Sequence, residues 1–160
     1  MAGGVSGADT EMEIREVQLT DKVVRELIAM SEAWEAEDIC RGYRKNTYAD
    51  LEGNQVFFAI ENSKVIGYLL GKQKRSEGPS SVMPGGTAYF EVEELYVSPV
   101  CRSRGIGTAL FRYLEEHLAP GTGYVMLSTA TKNFRSILHF YIDELGMEFW
   151  NARLFKKLSD

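Results

Sequence analysis

Arg102-Ser103-Arg104-Gly105-Ile106-Gly107-Thr108 lies between the strand-like run Glu94-Leu95-Tyr96-Val97 and the helix-like run Ala109 to Leu118. A tight glycine turn that opens into a helix gathers unpaired amides at the positive end of the helix dipole, and such a place attracts phosphate. The stretch therefore predicts strand, anion-binding turn and helix in succession, with a phosphorylated cofactor held in the turn.

Working outward, the chain alternates strands and helices. Glu13 to Val17 reads as an opening strand, and Thr20 offers an N-cap to a helix whose apolar stripe holds Val24, Leu27, Ile28 and Trp34. Asp38 to Leu51 reads as a second, less regular helix. Gln55 to Glu61 and Lys64 to Lys74 form a hairpin through Asn62-Ser63, with Glu61 facing Lys64. Arg75 to Gly86, with Gly78-Pro79 and Pro84-Gly85-Gly86, predicts a mobile loop. Ala88 to Val97 is a strand, Gly107 to Leu118 a helix and Tyr124 to Ser128 a short strand. Asn133 to Leu145 repeats apolar residues on one helical face, and Gly146 ends it. Two strand-like runs follow, around Phe149-Trp150 and Arg153-Leu154-Phe155.

Residue chemistry separates the candidate loops. A Walker loop needs Gly-Lys-Ser/Thr, which is missing, and a dinucleotide fingerprint needs a small residue where this chain has Leu110. What remains is the pattern Gln/Arg-x-x-Gly-x-Gly/Ala, matched by Arg102 to Gly107. With Glu94 to Pro99 as the strand before it and Thr108-Ala109-Leu110 as the helix start after it, the chain resembles the GCN5-related N-acetyltransferases. The helix between Asn133 and Gly146 resembles that family's second cofactor motif, and the likeness spans roughly residues 12 to 158. It implies an α/β, mixed α+β fold: one central twisted sheet of about six or seven strands with about four helices.

The resemblance also implies a cofactor and an order of events. Acetyl-CoA would place its pyrophosphate on Arg102, Ser103, Arg104, Gly105, Ile106, Gly107 and Thr108. Its pantetheine arm would run along Leu95, Tyr96 and Val97, with Asn133 as a further contact or as a helix cap. A substrate ammonium must lose a proton before it attacks, so a carboxylate is expected nearby. Glu93 is the first candidate base and Glu91 the second. Strand alternation puts both on one face and Glu94 on the other unless a bulge intervenes. Tyr141 is the candidate general acid for the departing thiolate. Counted from Asn133 the usual tyrosine slot holds Phe140, and counted back from Gly146 it holds Ile142, so an extra residue or a local helix bulge is expected there.

Composition bounds the rest. The 160 residues, 44% hydrophobic and 26% charged, suit one domain over residues 11–160 behind a disordered leader over residues 1–10. A net charge of -5 argues against nucleic acid or an anionic membrane and suits a small cationic amine, polyamine or aminoglycoside-like. A protein lysine or N-terminal amine stays open as acceptor, as does a non-catalytic acyl-CoA-binding module. Cys40 and Cys101 form no metal or disulfide motif, so the expectation is a cytoplasmic enzyme with no metal. Phe149, Trp150 and Phe155 are assigned to the core or to a homodimer contact.

Overall fold

The computed structural model describes residues 11–159; the leader expected over residues 1–10 lies outside them. The elements in chain order are β1 (Glu13–Val17), α1 (Asp21–Glu37), α2 (Tyr48–Leu51), β2 (Gln55–Glu61), β3 (Lys64–Arg75), β4 (Ala88–Val97), α3 (Ile106–Glu116), β5 (Tyr124–Leu127) and α4 (Phe134–Leu138). Among the described residues the strands form one five-stranded sheet in the order β1-β2-β3-β4-β5. The first four run antiparallel and β5 joins β4 in parallel. The sheet is thus mixed, as the sequence implies, with fewer strands than expected.

Local chemistry explains most boundaries. Thr20 caps α1 by accepting from the Val23 N–H at 3.3 Å, and Leu27 is fully buried on the apolar stripe. Asn62 and Ser63 both take positive φ, 53° and 60°, which gives the hairpin the twist its strands need and sets Glu61 opposite Lys64. The second helix is much shorter than expected, only Tyr48–Leu51. Residues 38–47 instead form a loop that reaches the segment after β5, where the Arg41 N–H donates to Ala130 O at 3.0 Å and Lys132 N–H to Ile39 O at 2.8 Å.

Two apolar layers sandwich the sheet. Phe57, Leu69, Phe90 and Val92 pack against Ile106, Leu110, Phe111 and Leu114 of α3. Val56, Phe58, Tyr68, Leu70 and Tyr96 pack against Val24 and Leu27 of α1. Burying a side chain such as Leu110, fully inaccessible here, contributes about 1.5–3 kcal/mol. That burial also explains why a bulky residue stands where a dinucleotide loop would need glycine.

The C-terminal part of the chain meets one expectation and departs from another. The helix begun by α4 widens into a π-helical turn over His139–Glu144, the bulge that the position of Tyr141 demands. Gly146, at φ 75°, closes it by donating to Ile142 O at 3.2 Å. The strand-like runs at Phe149-Trp150 and Arg153-Leu154-Phe155 form no strand. Phe149, Trp150, Leu154, Phe155 and Leu158 are exposed by 46–95%, so the aromatic residues there are not part of the core.

Candidate active site

Strands β4 and β5 pair only as far as Val92 and Leu127, after which they part. Glu93 to Val97 therefore keeps β3 on one edge and has an open edge on the other. The gap is a cavity of about 910 Å³, lined by β4 from Val92 to Val97, the turn before α3, residues 128–131 and the π-helical turn. Its roof is the loop over residues 38–47, with Trp34 of α1 beside it.

A β-bulge governs which carboxylates reach this space. Leu70 pairs with Glu94 but Gly71 pairs with Val92, leaving Glu93 as the extra residue of β4. Gly71 is required there, since a Cβ would strike the Glu91 carbonyl oxygen and come within 2.6 Å of the Phe90 ring. Phe90 and Val92 face the α3 layer, and past the bulge that face is taken by Leu95 and Val97. The parity change turns Glu94 toward the α1 layer, the side of Tyr96, instead of setting it opposite Glu91 as simple alternation requires.

The three glutamates thus have distinct surroundings. Glu93 lines the cavity. Glu91 lies outside it, ion-paired to Lys74 Nζ at 2.6 Å, with Glu93 Oε1 3.8 Å from the same ammonium. Glu94 also lines the cavity and accepts from Tyr68 Oη at 2.7 Å, Tyr43 Oη at 2.9 Å and Asn46 Nδ2 at 2.8 Å. The Asn46 N–H in turn donates to the fully buried Ser31 hydroxyl. Burial and the nearby Glu94 charge push both phenols, Tyr43 and Tyr68, well above the usual tyrosine range. This polar cluster was not legible in the sequence, because its members come from four segments far apart in the chain.

On the opposite wall, no side chain caps α3 at Gly105, so the amides of Ile106, Gly107 and Thr108 open toward the cavity without a capping acceptor. Ser103 at φ 63° and Gly105 at φ 79° curl the turn, an arrangement that concentrates N–H groups. Gly107 is packed close: a Cβ there would sit 3.3 Å from Phe140 Cζ. The two arginines have other partners. Arg102 grips both oxygens of Glu37 at 2.6 and 2.9 Å and donates from Nε to Val97 O, while Arg104 forks onto Glu61 outside the cavity. Of the two, only Arg102 lines the cavity, together with Ser103 and Thr108 of the turn.

Tyr141 lines the cavity, and burial pushes its phenol up to about 12. Asn133 lines it too, without capping α4 through its side chain. Burial also pushes the Cys40 thiol up, which disfavours it as a nucleophile. The loop over residues 75–86 does not line this cavity; it borders a separate pocket of about 540 Å³ with Tyr89, Met126 and Trp150. His117 stacks on Tyr113 and His139 bonds Asp143, and no group of three or more potential metal ligands exists among the described residues. Nor is any described helix long and apolar enough to cross a membrane.

The space between the parted strands, with spare strand-edge groups on one side and spare helix amides on the other, suits a long, thin ligand that ends in phosphate. A parted mixed sheet beside an uncapped helix start defines the N-acyltransferase class of α/β folds. Residues 16–147 match the acetyltransferase (GNAT) family, and the chain belongs to it. Among solved structures it is similar to an aminoglycoside acetyltransferase from an uncultured soil metagenomic sample, at 18% identity and TM-score 0.66 over 93% of this chain and 99% of that one. It is also similar to a ribosomal-protein-alanine N-acetyltransferase from Brucella melitensis, at 16% identity and TM-score 0.64 over 91% and 99%. A third is a predicted acetyltransferase from Clostridium acetobutylicum solved with acetyl-CoA, at 19% identity and TM-score 0.63 over 92% and 97%. No curated protein matches the sequence.

Proposed function

We propose that this chain moves the acetyl group of acetyl-CoA to a primary amine of a small cationic molecule, by direct attack while both are bound. The observation that carries the reading is the open edge of Leu95 to Val97 facing the uncapped amides of α3 within one cavity. Acetyl-CoA supplies the activated acetyl thioester. The turn from Arg102 to Thr108 holds its pyrophosphate mainly through backbone N–H groups, and Leu95, Tyr96 and Val97 hold the arm by strand-like hydrogen bonds. Asn133 adds a carboxamide beside them.

Glu93 accepts the proton that the substrate ammonium must lose, directly or through one water. Glu91 is the weaker candidate, because Lys74 occupies its carboxylate. As the new C–N bond forms and the C–S bond breaks, Tyr141 gives its proton to the departing sulfur. A phenol near 12 stays protonated at working pH, as that role requires. A strand amide aimed at the thioester carbonyl would stabilise the charge that develops on its oxygen.

Three cavity carboxylates, Glu93, Glu94 and Glu144, and a net charge of -5 favour a cationic small acceptor, such as a polyamine or an aminoglycoside-like amine. Similarity to an aminoglycoside acetyltransferase supports this choice, and similarity to a ribosomal-protein-alanine acetyltransferase supports a protein amine as the alternative. The two free cysteines fit a reducing, cytoplasmic setting. The test is thiol release from acetyl-CoA with diamines, polyamines, aminoglycosides, peptide amines and neutral amines. Turnover confined to cationic small amines and lowered by Glu93→Gln supports the reading. Tight CoA binding with no turnover of any amine refutes it.

A further inference from the structure

Arg102 is the first residue of the glycine turn and lines the cavity, yet its guanidinium is committed to protein groups. Nη1 and Nη2 fork onto Glu37 at 2.6 and 2.9 Å, and Nε donates to Val97 O at 2.9 Å. A two-point arginine–carboxylate pair fixes geometry as well as charge. The bond to Val97 lies on the open strand edge. Ser98 N–H donates to Ile66 O, so in the alternation of an antiparallel ladder Val97, opposite Gly67, turns its own N–H and C=O away from β3. Arg102 therefore covers the carbonyl at the end of that edge.

Glu37 is the last residue of α1, where the helix dipole disfavours an acid, and no base stands in that turn. Glu35 shares the disadvantage. Each acid has a partner that ties the helix end to the cavity: Glu35 accepts the Lys45 N–H at 2.7 Å, and Glu37 takes Arg102. Between these two ties runs the roof loop, residues 38–47. Aromatic rings continue the connection, with Arg102 5.6 Å over Tyr96, Tyr96 5.2 Å from Trp34, and Trp34 4.5 Å from Tyr43. The Glu37 side chain is only 20% exposed, so turning Arg102 onto a phosphate would strand a largely covered carboxylate.

We propose that Arg102 and Glu37 are a positioning pair, in which Arg102 serves the reaction by holding the roof over the acidic part of the cavity that receives the amine, and not as a ligand of the cofactor's phosphates. The proposal rests on the acetyl-transfer reading above. Loss of the pair loosens the enclosure of the amine and leaves the backbone N–H groups of the turn in place.

Glu37→Gln removes the charge pair without touching the turn, and Arg102→Gln installs a residue that the Gln/Arg-x-x-Gly-x-Gly/Ala pattern accepts. Each should raise the KM for the amine about tenfold, the worth of one charge-assisted pair, while the calorimetric Kd for CoA stays within about twofold of wild type. The double variant should be no worse than the more affected single one, because both substitutions break the same interaction. Hydrogen exchange should accelerate at the amides of residues 39–43 in both variants. Should Arg102→Gln fail to fold, Glu37→Gln alone reads the amine KM and the exchange. A chain that acetylates no amine refutes the proposed function, and CoA binding and exchange still decide the role of Arg102. Binding of CoA weakened about tenfold in Arg102→Gln overturns the proposal in favour of a phosphate ligand, whatever Glu37→Gln does. Additive effects of the two substitutions on the amine KM, or unchanged exchange over residues 39–43, overturn it as well.

Discussion

The Tyr43 hydroxyl donates to Glu94 Oε1 at 2.9 Å, and that contact fastens the loop that follows α1 to the strand that forms the cavity wall. Glu94 also satisfies Asn46 and the fully buried Tyr68, so the carboxylate is the hub of three donors. Glu94→Ala leaves Tyr68 and Asn46 without their acceptor and should cost about 1–3 kcal/mol for each stranded donor, whereas Tyr43→Phe removes one bond and should cost about 1 kcal/mol. Urea unfolding of the three proteins measures the difference.

The same cluster sets a pH dependence. Tyr43 and Tyr68 have folded-state pKa values above those of the unfolded chain, chiefly through burial, with the Glu94 charge second. The folded state therefore holds the phenol protons more tightly, and this stability is fully present below the unfolded value, about 10. It falls as pH rises beyond that, because only the unfolded phenols ionise. Thermal midpoints should drop above about pH 10, and less steeply in the Tyr43→Phe, Tyr68→Phe double variant.

Tyr141→Phe separates a catalytic phenol from a packing one. The ring packs beside the α3 core and its replacement keeps that contact, so folding should be nearly unchanged. If the hydroxyl protonates the leaving sulfur, kcat should fall by about 100-fold or more. The KM for acetyl-CoA should stay close to wild type, and steady-state kinetics reads both.

Two glycines should respond differently to alanine. Gly105 has φ 79° with open space where a Cβ would go, so Gly105→Ala should cost about 1 kcal/mol of backbone strain and no more. At Gly71 the Cβ meets backbone of β4 at the bulge. Gly71→Ala should exceed the ~3 kcal/mol that bounds most substitutions and should displace Glu93 along with the strand. Denaturant midpoints and amine turnover of the two variants provide the comparison.

These cases indicate what the sequence can and cannot carry. The turn from Arg102 to Thr108, the hairpin at Asn62-Ser63 and strand β4 from Ala88 to Val97 are written in local chemistry, and the structure has them where the sequence puts them. The irregular helix position of Tyr141 was also visible, and a π-helical turn is its physical form. The face of Glu94 was not, because one bulged residue reverses strand parity and the partner of that bulge, Gly71, lies more than twenty positions earlier. Likewise, the loop over residues 38–47 reads as helix by composition but is held open by bonds to Ala130, Thr131 and Lys132, which local sequence does not reveal. The ion pairs of Arg102 with Glu37 and of Arg104 with Glu61 were equally hidden, because both glutamates come from other elements.

The most direct test of acetyl transfer in this cavity is an initial-rate study in which acetyl-CoA and a cationic amine are varied together. Direct attack within a ternary complex predicts thiol release with intersecting double-reciprocal lines. Parallel lines, the mark of an acetylated enzyme, would contradict the account, as would the absence of thiol release with every amine at saturating acetyl-CoA.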